Sequence, residues 1–217
     1  MIGQMEFILL IIGFIVAYLI GSFSSAVWIG RIFYRKDVRD YGSHNAGTTN
    51  TIRVLGLKPG IVVLALDAFK GWLAVSLDFL FLRPATEAYA VYFDVALALA
   101  VVLGHVFPLY TGFKGGKGVA TLMGVVLAIY PEALLSAVAV FLLVFLATRY
   151  VSLASITAAV LFPFLDIFVF GQENLVLQCF AVFIAVFIVI THRKNIGRLL
   201  HGKESKLSLG KKKEGVK

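Results

Sequence analysis

The sequence predicts an all-α integral membrane protein with seven transmembrane helices, and three observations support this fold class. The chain of 217 residues is 60% hydrophobic and only 15% charged, with a mean hydropathy of +0.93, values typical of polytopic membrane proteins. Its hydrophobic residues form runs long enough to make membrane-crossing helices. Its lysines and arginines fall in alternate connections between these runs.

The hydrophobic runs define the spans in order. The first carries no charge and can cross a hydrocarbon core of roughly 30 Å. The fourth is short, and because its helix reaches only about 18–22 Å, it is predicted as a half-span or a locally thinned one. The predicted spans are residues 7–30, 59–82, 88–109, 119–130, 133–148, 152–170 and 174–191.

The charges predict how these spans are oriented. Connections after odd-numbered spans hold every lysine and arginine except Lys70 and Arg83, whereas Glu87, Glu132 and Glu173 follow even-numbered spans. By the positive-inside rule the amino terminus lies outside and the carboxyl terminus is cytoplasmic. We expect residues 1–204 to form a single polytopic domain. Residues 205–217 are expected to form a basic, disordered cytoplasmic tail that touches anionic lipid.

The composition also excludes several function classes. The one cysteine, Cys179, cannot form an intrachain disulfide, and no Cys/His cluster has zinc-site spacing, so no metal or other cofactor is predicted. The net charge of +8 is explained by membrane topology, and no nucleic-acid partner is predicted. Asp67 and Lys70 stand at i, i+3 inside the second span and are expected to pair, with a proton relay as the alternative.

The first of three polar clusters is residues 42–53, and it contains no carboxylate. Its hydroxyls, amides and single guanidinium suit a polyol phosphate, which Arg53 could grip through its fork of donors. A polar loop with Asx-turns and a helix cap is an equally weighted alternative. The candidate substrate-binding residues here are Ser43, Asn45, Gly47, Thr49 and Asn50.

The second cluster, residues 104–121, combines glycines and lysines without an acid. Lys117 is followed by glycine, so this is not a Walker A loop. Free amides at the start of the fourth helix would favour an anion, although a flexible turn whose lysines anchor the membrane edge is the alternative. The candidates are Lys114, Gly115, Gly116, Lys117 and Gly118.

The third cluster, residues 191–204, follows the seventh span. If that helix continues, His192, Asn195 and Leu199 share one face and turn toward the other clusters. A basic stop-transfer end is the alternative, and it accounts better for the lysine and arginines than for Asn195. Ser155, near the cytoplasmic end of the sixth span, is a candidate ligand contact or a small packing residue.

These clusters resemble the bacterial acyl-phosphate:glycerol-3-phosphate acyltransferases, the PlsY family, from about residue 21 to 204. The chain departs from the usual family pattern at His44, where glycine is usual, and at Thr48, where alanine is usual. The motifs that carry the resemblance are Gly42-Ser43-x-Asn45-x-Gly47-x-Thr49-Asn50-x-x-Arg53, Gly104-His105-x-Phe107-Pro108, Phe113-Lys-Gly-Gly-Lys-Gly-Val-Ala-Thr121 and His192-Arg193-x-Asn195-Ile196-x-Arg198-Leu199-x-x-Gly202-x-Glu204.

The resemblance implies an enzyme of the bacterial inner membrane whose active site faces the cytoplasm. It implies transfer of a fatty acyl group from acyl phosphate to the 1-hydroxyl of glycerol 3-phosphate, which yields lysophosphatidic acid and phosphate. Membrane lipid is the surrounding partner, and a monomer is expected. The residues implied to contact the substrates are Ser43, Arg53, Lys117, Ser155, His192 and Asn195.

The residue inventory agrees with that chemistry. No histidine is followed by aspartate five residues on, and no Ser-His-Asp or Cys-His set is evident. An acyl phosphate is already activated, so we expect direct attack by the acceptor hydroxyl without an acyl-enzyme. Lys117 and Arg53 would stabilise phosphate charge, and His192 and Asn195 would orient the acyl phosphate. A substrate phosphate oxygen is our hypothesis for the base. An organic-anion transporter and a lipid-binding scaffold are the alternative functions.

Overall fold

The computed structural model describes residues 4–77 and 87–208, and all regular secondary structure within these ranges is helical, which confirms the all-α prediction. Asp78, Arg83, the side chain of Glu87 and residues 209–217 lie outside the described part. The α-helices are α1 Gln4–Ser22, α2 Ser25–Tyr34, α3 Thr48–Leu55, α4 Leu57–Leu77, α5 Glu87–Val106, α6 Val119–Ile129, α7 Pro131–Thr148, α8 Val151–Phe164, α9 Leu175–Thr191 and α10 Arg193–Leu200.

Four segments in the described ranges are long and apolar enough to cross a membrane. Two bent pairs, α1 with α2 and α9 with α10, raise this number to six if each pair is one span. The short apolar α6 corresponds to the predicted half-span. The count of seven and the orientation therefore stay predictions. The four segments are Leu57–Leu77, Ala90–Thr111, Pro131–Thr148 and Val151–Val169.

The first predicted span is not one continuous helix. It bends by 40° between α1 and α2, and two buried polar groups of α4 meet the chain at this break. Lys70 Nζ donates to the carbonyl of Phe23 at 2.8 Å, and Ser25 Oγ donates to Asp67 Oδ1 at 2.9 Å. The break thus supplies a carbonyl and a hydroxyl that a continuous helix would not present.

The expected pairing of Asp67 with Lys70 is confirmed, with Nζ and Oδ1 2.8 Å apart and both side chains almost fully buried. Lys70→Met should lower the free energy of unfolding by about 3–5 kcal/mol, because it leaves a buried carboxylate without its countercharge. Asp67→Asn combined with Lys70→Met should recover part of that loss. Unfolding in detergent measures both effects, and a double variant no more stable than Lys70→Met would show that the charges are not coupled.

Glycines bring α4 and α6 into close contact. A Cβ added to Gly71 would lie 2.1 Å from the carbonyl oxygen of Thr121, and one added to Gly124 would lie 1.8 Å from that of Ala68. No side chain fits at such distances, so the two helix backbones touch directly, as small residues allow in membrane proteins. This contact fixes the start of α6 and therefore the position of Lys117, two residues before it.

The seventh predicted span, residues 174–191, corresponds to α9, Leu175–Thr191. The chain then bends by 61° between α9 and α10, so the helix does not continue through residue 199 and the condition for a shared face of His192, Asn195 and Leu199 is not met. His192 lies at the bend and Asn195 in the first turn of α10, and both side chains are buried. The bend directs α10 across the end of the bundle, where it packs against α8 and α9.

Candidate active site

A cavity of about 540 Å³ opens among α3, α4, α6, α7, α8 and α9. Polar groups line one end, whereas leucine, valine, alanine and phenylalanine side chains line the remainder. Segments far apart in the sequence meet at the polar end, as the sequence predicts. The predicted site residues that line the cavity are Ser43, Asn45, Gly47, Thr49, Asn50, Arg53, Lys117, Gly118, Ser155, His192 and Asn195.

Lys117 links the second cluster to the third. Its Nζ donates to Asn195 Oδ1 at 2.5 Å, which leaves the other ammonium hydrogens for a ligand. Burial lowers the pKa of Lys117 to about 8, against the opposing influence of the Glu204 carboxylate. A half-desolvated ammonium at the end of an apolar cavity is well placed to hold an anion.

Glu204 belongs to the third cluster but was not among the predicted site residues. Its Oε1 accepts from Ser152 Oγ and from Asn195 Nδ2, each at 2.7 Å, and its Oε2 accepts from Arg198 Nε at 2.6 Å. Burial would raise the pKa of Glu204, but the hydrogen bonds from Arg198, Asn195 and Ser152 lower it overall. The carboxylate fixes the amide of Asn195 so that its oxygen faces Lys117. The sequence did offer a signal for this role, since Glu204 is the one acidic residue of the basic third cluster.

Arg53 lies beside the beginning of the predicted tail. Its Nη2 donates to the carbonyl of Ser205 at 2.9 Å, and burial lowers the pKa of its guanidinium. The amide of Leu207 donates to the carbonyl of Arg149 at 2.9 Å, and the Leu207 side chain is buried in the cavity wall. Residues 205–207 therefore belong to the rim of the site, beyond the predicted domain boundary at residue 204.

His192 contributes a ring nitrogen to the site. Its Nδ1 lies 2.8 Å from the carbonyl oxygen of Ile188, and because a carbonyl can only accept, Nδ1 carries the hydrogen. The ring is thereby oriented, with Nε2 left for a ligand. Ser155 Oγ donates to the carbonyl of Val151 at 2.9 Å, so its hydroxyl oxygen can still accept a hydrogen bond.

Asn50 differs from its predicted role as a direct ligand. Its Nδ2 donates to the carbonyls of Val38 and Asn45 at 2.7 and 3.0 Å, and its Oδ1 accepts from the amide of Ser43 at 2.8 Å. These contacts use the side-chain amide to fold the first cluster. Asn50 therefore positions Ser43 and Asn45.

Two glycines of the glycine-lysine loop do not present the free amides that an anion cradle requires. The amides of Gly115 and Gly116 donate to the carbonyls of Val106 and His105, so they are not free for an anion. Lys114 is exposed, and neither it nor these glycines line the cavity. The glycines permit close packing instead, since a Cβ at Gly115 would lie 2.0 Å from the His105 carbonyl oxygen. Gly118, by contrast, lines the cavity.

The two departures from the family pattern have different consequences. His44 has a positive φ of 57°, a conformation that favours glycine, and its Nδ1 bonds to the carbonyl of Arg39 at 2.9 Å outside the cavity. This histidine therefore occupies a backbone position where glycine would be free of strain. Thr48 lines the cavity with a buried hydroxyl, so it alters the site itself.

The apolar helices and a cavity with a cationic end are features of a membrane protein whose site suits an amphipathic anion. Comparison with known proteins identifies the family within this class of membrane proteins. A family model described as glycerol-3-phosphate acyltransferase matches residues 11–202. The chain therefore belongs to the glycerol-3-phosphate acyltransferase family.

Similar proteins extend over nearly the whole chain. A glycerol-3-phosphate acyltransferase of Enterococcus faecalis is 42% identical over 96% of this chain and 96% of its own length. One of Fusobacterium nucleatum is 46% identical over 88% of this chain and 95% of its own. The crystal structure of the integral membrane glycerol 3-phosphate acyltransferase PlsY (YgiH), in its glycerol 3-phosphate form, superposes with a TM-score of 0.82. It is 39% identical and covers 92% of this chain and 96% of that one.

The lysophosphatidic acid form of PlsY superposes with a TM-score of 0.79 at 38% identity, again over 92% of this chain and 96% of that one. In the described ranges of this chain, no group of three or more His, Cys, Asp or Glu side chains is placed to hold a metal ion.

Proposed function

We propose that this chain transfers a fatty acyl group from acyl phosphate to the 1-hydroxyl of glycerol 3-phosphate, giving lysophosphatidic acid and phosphate. The observation that carries the proposal is that Lys117 and Arg53 line, together with other polar groups, one end of a cavity whose remaining lining is mostly apolar. Both reactants carry phosphate and one carries an alkyl chain, so this division of charge matches the pair.

The reactants are assigned to the site by their chemistry. Arg53 and Lys117 hold phosphate oxygens, and His192 and Asn195 orient the acyl phosphate group. The alkyl chain lies among the apolar residues of α6, α7 and α8. We place this end of the bundle at the cytoplasmic surface of the bacterial inner membrane, because the basic connections lie on the same side. One chain supplies the whole cavity, so we expect the monomer to be active.

The reaction proceeds by direct transfer. The 1-hydroxyl oxygen attacks the acyl carbonyl carbon and forms the ester bond, while the carbon–oxygen bond to phosphate breaks and its electrons leave with phosphate. A phosphate oxygen of glycerol 3-phosphate takes the hydroxyl proton. Lys117 and Arg53 stabilise the charge that develops on the departing phosphate, which is the main source of rate enhancement.

The test is turnover by the purified protein in detergent or vesicles. Supplied with palmitoyl phosphate and glycerol 3-phosphate, it should form lysophosphatidic acid and phosphate in equal amounts. A transporter would leave both compounds intact and require sealed vesicles, and a lipid-binding scaffold would release nothing. Palmitoyl coenzyme A in place of palmitoyl phosphate tests the donor. Turnover with the thioester alone would contradict the proposal.

The pH dependence should report the charge on Lys117. Its pKa of about 8 means that the ammonium is protonated below this pH and loses its charge above it. We expect kcat/KM, which reflects the free enzyme, to fall above pH 8 by about tenfold per pH unit. Lys117→Arg, whose guanidinium stays charged, should move that fall out of this range. An unchanged profile in Lys117→Arg would assign the titration to another group.

A further inference from the structure

An aromatic cluster meets the cavity at Phe162 of α8. Counting from the polar end, the last α8 residue that lines the cavity is Phe162, which is 2% exposed. Its ring meets that of Tyr130 edge-on with the centroids 5.3 Å apart, and Tyr130 stacks in turn on Phe180 at 6.5 Å. The Tyr130 hydroxyl donates to the carbonyl of Leu177 at 2.7 Å, so this wall is held by packing and by a hydrogen bond.

The α8 residues above Phe162 are small. Ser155, Ala158 and Ala159 face the same cavity, and their small side chains leave a space that extends as far as Phe162. Ser152, which bonds to Glu204 at the polar end, and Phe162 are ten residues apart, so the channel is about 15 Å deep at 1.5 Å per residue. An apolar channel that is polar at one end and aromatic at the other suits an acyl phosphate. The phosphate would lie at the polar end, and the alkyl chain would run toward Phe162.

We propose that Phe162 is a length-determining residue, whose ring sets the longest acyl chain that the cavity accepts in full. This proposal rests on the proposed function, because it concerns the alkyl chain of the acyl phosphate. A chain whose last carbon reaches Phe162 buries all of its methylenes. A longer chain must bend or leave part of itself outside the cavity, and it loses the binding energy of those groups.

The structure also offers the alkyl chain a second way out of the cavity. Ile61 of α4 and Leu142 of α7 line the cavity but are 53% and 47% exposed, so the cavity has a side that faces lipid. An alkyl chain that left between α4 and α7 would not meet Phe162 at all. The two routes make opposite predictions for chain-length preference.

The test compares acyl phosphates from decanoyl to octadecanoyl in steps of two carbons. Phe162→Ala removes the floor, so we expect the ratio of kcat/KM for octadecanoyl over dodecanoyl phosphate to rise by about tenfold, the discrimination typical of a methylene in a hydrophobic pocket. Ala159→Leu raises the floor by three residues, about 4.5 Å, and should lower the ratio of kcat/KM for dodecanoyl over decanoyl phosphate by about as much. The second variant keeps the test valid if the first does not fold.

Phe164→Ala is the matched control, because Phe164 lies on the same helix with 57% of its surface exposed and does not line the cavity. It should keep the parent's length profile. If Phe162→Ala and Ala159→Leu also keep that profile, the chain leaves sideways and the proposal is overturned. If the parent turns over no acyl phosphate of any length, the proposed function itself fails, so the two failures can be told apart.

Discussion

Lys117→Ala should reduce kcat/KM for acyl transfer by roughly 10–150-fold, since a charge-assisted hydrogen bond to phosphate is worth about 1.5–3 kcal/mol. The loss should be larger if the contact forms mainly in the transition state, and it should then appear in kcat. The fold should survive because, among the residues that the structure describes, Asn195 Oδ1 is the one group that loses a hydrogen-bond partner. Steady-state rates with palmitoyl phosphate and glycerol 3-phosphate measure the effect.

Lys58→Ala is the control for that experiment. Lys58 lies in the first turn of α4, is exposed and does not line the cavity. Removing the same charge from this surface should change the rate by less than about twofold, which separates a local contact from a general loss of positive potential. Near-normal turnover by Lys117→Ala would remove Lys117 from the mechanism.

Glu204→Ala should both destabilise the protein and abolish most of its activity. Its carboxylate is 5% exposed and receives hydrogen bonds from Ser152, Asn195 and Arg198. Truncation leaves three donors without their acceptor. It also frees the amide of Asn195, which in the parent protein holds Lys117 in place. We expect a loss of about 2–4 kcal/mol in unfolding free energy, measured by thermal or denaturant unfolding in detergent.

Glu204→Gln separates position from charge. The amide oxygen can still accept from Asn195 and Ser152, whereas the amide nitrogen faces Arg198, another donor. We therefore expect intermediate stability and more residual activity than in Glu204→Ala. A Glu204→Ala protein with the parent's unfolding midpoint and rate would show that this network does not position Asn195.

The helical fold follows from the sequence because apolar runs of membrane-crossing length leave few alternatives: a backbone in lipid must satisfy its own hydrogen bonds. The bends do not follow in the same way. At the first break, the carbonyl of Phe23 accepts a hydrogen bond from Lys70 of another helix. The bend at His192 directs α10 onto α8 and α9. Such partners are set by tertiary packing, which a run of apolar letters does not specify.

The site was predictable where charge and topology agreed. Arg53, Lys117 and Asn195 follow odd-numbered predicted spans, and the structure brings them to one cavity. The role of the glycines in the loop was not predictable, because a glycine that frees an amide and a glycine that admits a neighbouring backbone look alike in sequence. Glu204 was missed for a similar reason, since the donors that surround it lie on α8 and α10.

Direct transfer requires both phosphorylated reactants to occupy one cavity at the same time, so that the acyl group passes directly between them. The measurement that tests this most directly is rapid-mixing phosphate release from palmitoyl phosphate without glycerol 3-phosphate. Direct transfer predicts no release above the rate in buffer until the acceptor is added. A burst of one phosphate per protein, accompanied by an acyl group bound to the chain, would contradict it.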